Sequence, residues 1–220
     1  MKKILLIEDV SDRQNEFMSQ LNFTLNSYSN ILKNCIGDQY TSIAKSLKDD
    51  TFNFDDYEII ISHKSAFEDQ TNTIIAKLEL YCEQTKKPLV LFSGGASDYY
   101  NNSKYEHLQL NSKDFYSQHL KLFLDEYKNG NINLLILSYG DKWKLLILLN
   151  VLEKINLFLN KTKEDDIVYD SFKNITEINH LTNIRHSFYV MEIEDGWVYK
   201  KEILKLKDSI SEYIKEIVNV

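Results

Sequence analysis

The sequence predicts a protein of the α/β class, built on a parallel sheet that carries helices on both faces. Short, continuous apolar runs are typical of strands buried on both sides, and three predicted strands early in the chain contain such runs, at residues 4–7, 57–62 and 89–92. Stretches with helical apolar spacing lie between these runs, and such alternation indicates a parallel sheet. Six glycines and one proline in 220 residues are too few for the many tight turns of an all-β sandwich.

Helices and further strands fill the intervals around these three runs. Asp12 is a suitable N-cap for a helix over residues 13–27. The segment after this helix is ambiguous, and its apolar residues fit a strand near residues 31–36 and a short helix at 43–47. The remaining elements predicted in this half are helices at 66–85 and 113–127 and a short strand at 107–110.

The character of the chain changes near Gly130, where we predict a domain boundary. An α/β domain would occupy residues 1–128, and a mostly helical region with one or two strands would occupy residues 129–220. The segment 142–160 is apolar nearly all round, which predicts a buried helix. The amphipathic stripe of 200–218 would pack on that helix or on a second copy of the chain. The same half contains an apolar run at 134–137, a predicted helix within 167–184, a predicted strand at 188–193, and Trp143 and Trp197, both expected in the core.

Composition and charge exclude several classes of function. A net charge of −7 and an isoelectric point near 5.3 disfavour DNA binding. Cys35 and Cys82 form no CxxC motif, which fits a reducing compartment and neither a disulfide framework nor structural zinc. The first apolar run stops at Glu8, too early for a signal peptide, and the run 145–149 is far shorter than the ~20 residues of a membrane span. We therefore expect a cytoplasmic protein with neither DNA nor a membrane as its partner.

Polar residues at the ends of the predicted strands are the candidate functional residues, because ligands of open parallel sheets bind at the carboxyl ends of strands. These residues are Glu8, Asp9, His63, Ser93 and Lys113. Each also has a plain structural explanation. Acids are favoured before a helix, a serine can open the Ser-Gly-Gly turn found here, and a histidine in a loop or a lysine at a helix start is ordinary.

Residues 2–127 resemble the receiver domain of two-component response regulators. In that family the first strand ends in two acids that bind a divalent cation, and Glu8 and Asp9 match them. The family has a hydroxyl residue five positions after the proline that leads a later strand, and a lysine at the end of the following strand. Ser93 and Lys113 match these two positions. The resemblance implies a flavodoxin-like doubly wound parallel sheet and a response-regulator-like role in two-component signalling.

One strand end departs from the receiver pattern. His63 stands at the position of the phosphate-accepting aspartate, and no acid lies between residues 59 and 67. Asp114 also replaces the proline that usually follows the lysine. With one carboxylate missing, Glu8 and Asp9 would bind Mg²⁺ or another divalent cation only weakly. We expect the two acids to raise the pKa of His63, so that a protonated imidazole fills the pocket without metal.

Two hypotheses of different classes follow. The favoured one is a non-catalytic regulatory protein with a pseudo-receiver domain, which acts by binding a histidine kinase or an effector protein, or as a homodimer. The alternative is a metal- or phosphate-handling enzyme that uses the same five strand-end residues. The sequence contains no HExxH or GxSxG motif. Its Ser-Gly-Gly turn lacks the Walker and GxGxxG patterns of nucleotide-binding loops.

Overall fold

The structure, a computed structural model, describes residues 3–67, 73–96, 99–184 and 186–218. The chain forms two compact units, Met1–Gly140 and Asp141–Val220. Among the described residues, no helix combines the length and the apolar character needed to cross a membrane.

The first unit alternates strands and helices as the apolar runs predict. Its elements, in chain order, are β1 (Lys3–Ile7), α1 (Ser11–Ser19), a 3-10 turn (Leu25–Tyr28), β2 (Leu32–Cys35), α2 (Asp38–Lys48), β3 (Tyr57–His63), α3 (Thr73–Thr85), β4 (Leu89–Ser93), β5 (Tyr99–Asn101), β6 (His107–Asn111), α4 (Ser112–Phe115), α5 (Gln118–Lys128) and α6 (Leu135–Tyr139).

A mostly parallel sheet forms the centre of this unit, which confirms the α/β class. Its described strands have the order β2-β1-β3-β4-β6-β5, and only β5 runs antiparallel to its neighbour. The connection from β4 to β6 passes through β5 at the sheet edge, and its described part contains no helix. The carboxyl ends of β1, β3, β4 and β6 therefore meet at one edge of the sheet.

The core of the first unit lies on both faces of the sheet. All four residues of the first apolar run are fully buried, as expected for a central parallel strand. Leu5 and Ile7 share one face of the sheet with Ile60 and Leu91, where they pack with residues of α2 and α3. Because side chains alternate along a strand, Ile4 and the other even positions of β1 are buried on the opposite face.

The helix predicted at 66–85 is seen as α3 from Thr73 onwards, because residues 66 and 67 form a turn and residues 68–72 lie outside the described part of the chain. Two further helix predictions in this unit are wrong in their bounds. The helix expected at 13–27 ends at Ser19, because the chain becomes extended at Thr24 and buries Phe23 against Tyr28. Asp12, the predicted N-cap, lies in the first turn of this helix, and Val10 occupies the N-cap position. The helix expected at 113–127 is two helices, because Ser117 accepts a hydrogen bond from the first turn of α5 and starts a new helix there.

The second unit combines helices with a small antiparallel sheet. Its described strands have the order β7-β9-β8. Its elements are α7 (Trp143–Lys161), β7 (Asp166–Val168), α8 (Tyr169–Thr176), a 3-10 helix (Ile178–Asn183), β8 (Ile193–Glu194), β9 (Trp197–Tyr199) and α9 (Lys200–Val218).

The bounds of the two long helices match the sequence pattern, but α7 is not buried all round, because Leu146, Leu149 and Leu157 are exposed. The strand predicted at 188–193 is wrong for most of its length. Helix α9 packs on α7 within the chain, with Ile203, Leu206 and Ile210 buried. Most of 188–193 lies against α9 instead of pairing as a strand. The backbone N–H of Tyr189 donates to Ser209 Oγ, 3.1 Å away, and its hydroxyl donates to the buried Glu202 of α9. Side-chain bonds to a helix thus replace the ladder that the strand prediction assumed.

Candidate functional site

The ends of β1 and β3 bring three predicted site residues together. The two strands pair in parallel with Ile7 opposite Ser62, so Glu8, which follows Ile7, is a neighbour of His63, which follows Ser62. Glu8 and His63 are buried, Asp9 is half-buried, and one ligand atom from each lies within 4.8 Å of the other two. The parallel arrangement inferred from the apolar runs is what creates this cluster.

Arg13 of α1 is the central cation of the cluster. Its Nη2 donates to Glu8 Oε1 and also to Asp9 Oδ1, so one guanidinium nitrogen joins both acids. Sequence reasoning missed Arg13, because a charged residue on a helix is usually solvated. The available signal was its spacing of four residues from Asp9, which places a cation of the first helical turn within reach of an acid that precedes the helix.

The second carboxylate oxygen of Glu8 is held by Tyr116, which lies between α4 and α5. The Tyr116 hydroxyl donates to Glu8 Oε2 at 2.9 Å and accepts a hydrogen bond from Gln14 Nε2 at 3.1 Å. Gln14 in turn exchanges hydrogen bonds of 2.7 and 3.2 Å with Asn34 of β2. Both oxygens of the buried Glu8 are therefore bonded, and the network ties three parts of the sheet edge together.

His63 is an enclosed imidazole at the end of β3. Its Nδ1 lies 3.6 Å from Asp9 Oδ1 and 3.0 Å from Ser65 Oγ, with which it shares a hydrogen bond. Its ring and the Phe92 ring pack nearly perpendicular to each other, with 5.2 Å between centroids. The imidazole is thus held in place by contacts with Asp9, Ser65 and Phe92.

The expected pKa change of His63 is wrong in sign. Burial and, to a smaller extent, the positive charge of Arg13 lower the pKa of His63 to about 4, and Asp9 only partly opposes them. The prediction failed because it counted the two acids and not the guanidinium between them. At neutral pH the imidazole is therefore uncharged, and the cation that neutralises the two acids is Arg13 and not His63.

The pKa of Glu8 is subject to opposing influences from its surroundings. Burial raises the pKa of its carboxyl, the neighbouring Asp9 raises it further, and the hydrogen bonds from Arg13 and Tyr116 act in the other direction. Burial and the Glu8 carboxylate together raise the pKa of Tyr116 well above its usual range, so its hydroxyl remains a donor. The stability of the cluster at neutral pH thus depends on the bonds that Arg13 supplies.

Ser93 and Lys113 lie at the same sheet edge as the cluster, at the ends of β4 and β6. Ser93 is half-buried and opposite Asn111 in the strand register, while Lys113 is exposed at the start of α4. Within the described ranges, no hydrogen bond or ion pair joins either residue to Glu8, Asp9 or His63. The structure thus brings three of the five predicted residues into contact and leaves two as neighbours on the same edge.

We compared the chain with protein-family models, with curated proteins and with solved structures, and none of the three comparisons finds a match. The chemistry of the site follows from its own geometry. That geometry is an acid pair neutralised by an internal guanidinium beside an uncharged imidazole.

The depressed pKa of His63 predicts how stability changes with pH. Its pKa is about 4 in the folded protein and about 6.5 when unfolded, so between these values the unfolded chain binds a proton that the folded protein does not. The free energy of unfolding should therefore fall from pH 7 to pH 4.5, by about 2–3 kcal/mol more in the wild type than in His63→Gln. Urea unfolding at a series of pH values measures this difference.

His63→Asn is the matched control, because it also removes the titrating group and should follow the His63→Gln profile. A wild type whose stability relative to both variants does not change over this pH range would contradict a buried, neutral His63.

Proposed function

We propose that this protein is a non-catalytic regulatory protein, whose first unit is a receiver-like domain held permanently in one state. The observation that carries the proposal is Arg13, whose guanidinium joins Glu8 and Asp9 at the position where a receiver binds its metal. The protein would act through contact with another protein, such as a histidine kinase or an effector, or with a second copy of itself.

The strand order supports the receiver-like assignment. The parallel strands β2-β1-β3-β4-β6 have the order 2-1-3-4-5 that is typical of flavodoxin-like sheets. Strand β5 is then an added antiparallel edge strand that replaces the helix usually found before the last parallel strand. In this order β1 and β3 flank the switch point where ligands bind, and the cluster of Glu8, Asp9 and His63 lies there.

The chemistry of the cluster supports a constitutive state. A receiver needs a divalent cation to neutralise its acids and a carboxylate to accept phosphate. Here Arg13 supplies the positive charge from within the chain, and His63 offers no carboxylate. Because the internal cation is covalently part of α1, neither metal nor phosphate is required to hold this edge of the sheet.

A metal-handling enzyme is the second candidate, and the grouping of one ligand atom each from Glu8, Asp9 and His63 within 4.8 Å favours it. An uncharged imidazole with two carboxylates suits a transition metal better than Mg²⁺. In this alternative the metal displaces Arg13 from the acids. The two candidates thus differ in what neutralises Glu8 and Asp9.

The direct test of the regulatory proposal is incubation with acetyl phosphate and Mg²⁺, followed by intact mass analysis. We expect the wild type to gain no phosphoryl group, because no carboxylate occupies the acceptor position. The double variant His63→Asp with Arg13→Gln restores an acceptor and frees the acids, and it should gain one phosphoryl group on residue 63. A phosphoryl group on an aspartate of the wild type would contradict the proposal.

A further inference from the structure

The second unit carries an open pocket on the exposed face of its small sheet. The pocket has a volume of about 320 Å³. It is lined by two aromatic residues, three acids and one core valine, namely Trp197, Tyr199, Asp166, Glu194, Asp195 and Val198. This pocket shares no residue with the strand-end cluster, since all of its residues belong to the second unit.

Strand alternation explains why the two rings are exposed. On β9, Val198 points into the core with 1% of its surface exposed, so its neighbours Trp197 and Tyr199 point outwards, with 49% and 44% exposed. The expectation that Trp197 is a core residue is therefore wrong. A pair of large rings on a solvent-facing sheet surface is typical of a binding site.

Each ring is paired with an acid on the neighbouring strand. In the sheet register Glu194 is opposite Trp197, and Asp166 is opposite Tyr199. Residues directly opposite each other lie on the same face of a sheet, so carboxylates flank the rings on both sides. Asp195 extends the acidic edge from the tight turn it forms with Gly196, where both residues have positive φ.

The acids of this pocket have no ionic partner among the described residues of their unit. In the described part of the second unit, none of Asp166, Glu194 and Asp195 forms an ion pair or a side-chain hydrogen bond. One ring already attracts a cation, because the Lys201 ammonium lies 5.3 Å from the centre of the Tyr199 ring. Nucleic acid and anionic lipid are disfavoured as ligands, since three unpaired carboxylates would repel their phosphates.

We propose that this pocket binds an arginine side chain from a basic segment of a partner protein. A guanidinium is planar and stacks on aromatic faces, and its fork of N–H donors matches carboxylates. Trp197 supplies the face, Glu194 opposite it supplies one acceptor, and Asp166 opposite Tyr199 supplies a second. This inference rests on the proposed function in one respect, that the chain acts by binding another protein. It adds the chemistry that the partner must present, an arginine side chain.

The test is an NMR titration of the ¹⁵N-labelled full chain with the peptide acetyl-Gly-Arg-Gly-Arg-Gly-amide. The indole N–H of Trp197 should shift on saturable binding, while that of the buried Trp143 should not move. Binding should weaken at least tenfold in Trp197→Ala and in the double variant Glu194→Gln with Asp166→Asn. Because these residues are exposed, the variants should remain folded, and the unchanged Trp143 signal checks this.

The uncharged analogue with citrulline in place of arginine is the matched control peptide and should produce no shift. Absence of a Trp197 shift at millimolar arginine peptide, or an equal shift with the citrulline peptide, would overturn the proposal. So would undiminished binding by the two variants. The two proposals can fail separately. Phosphorylation of the wild type would contradict the pseudo-receiver proposal, but it would not change the expected peptide binding at Trp197.

Discussion

Replacement of Arg13 by methionine should lower the free energy of unfolding by about 3–5 kcal/mol at pH 7. Methionine keeps much of the apolar volume of the side chain but removes the cation that Glu8 and Asp9 share. Glu8 is fully buried, so its charge would lose its counterion without gaining water. Urea unfolding of the wild type and of Arg13→Met measures the loss.

The pH dependence of this loss distinguishes electrostatics from packing. Burial already raises the pKa of Glu8, and removal of Arg13 raises it further, so on acidification the carboxyl of the variant should take up its proton before that of the wild type. The difference between wild type and Arg13→Met should therefore shrink at low pH. Arg13→Lys, which keeps the charge but not the fork of donors, should lose less than Arg13→Met. A loss that is the same at pH 7 and pH 5 would indicate a packing effect only.

Replacement of Ile210 by aspartate should destabilise the second unit by at least ~3 kcal/mol. Ile210 is fully buried on α9, the helix that packs on α7. The change removes a large apolar side chain from the core and puts a carboxylate into an apolar interface. Thermal unfolding followed by circular dichroism measures the effect.

Leu204→Asp is the matched control for Ile210→Asp. Leu204 belongs to the same helix and is 42% exposed, so its replacement should change the free energy of unfolding by less than about 1 kcal/mol. If Ile210→Asp melts like the wild type, the α7–α9 interface is not a core, and the helix would be a solvated tail.

The sequence was most informative where one physical requirement dominates. The strands predicted at 4–7, 57–62 and 89–92 each contain at least three consecutive apolar residues, which favours burial on both faces, and all three are central parallel strands. Parallel strands put their carboxyl ends on one edge, which is why Glu8 and His63 could be expected to meet. The amphipathic spacing of 200–218 likewise predicted α9 with its correct bounds.

Features that depend on tertiary contacts were beyond the sequence pattern. Arg13 looks like any solvated helical cation until the acids are known to face it, and the pKa of His63 depends on that arginine. Tyr116 reaches Glu8 only because one predicted helix is broken in two. The strands of the second unit have two or three residues each, too few to show a period of two, so the exposure of Trp197 could not be inferred.

A titration of the wild-type protein with Mn²⁺, followed by the electron paramagnetic resonance signal of the free ion at pH 7, tests most directly whether Arg13 takes the place of a metal. We expect the wild type to leave Mn²⁺ free up to millimolar concentrations, and Arg13→Gln to bind one ion through Glu8 and Asp9. Stoichiometric binding of micromolar Mn²⁺ by the wild type, lost in Asp9→Ala, would contradict a site neutralised from within the chain.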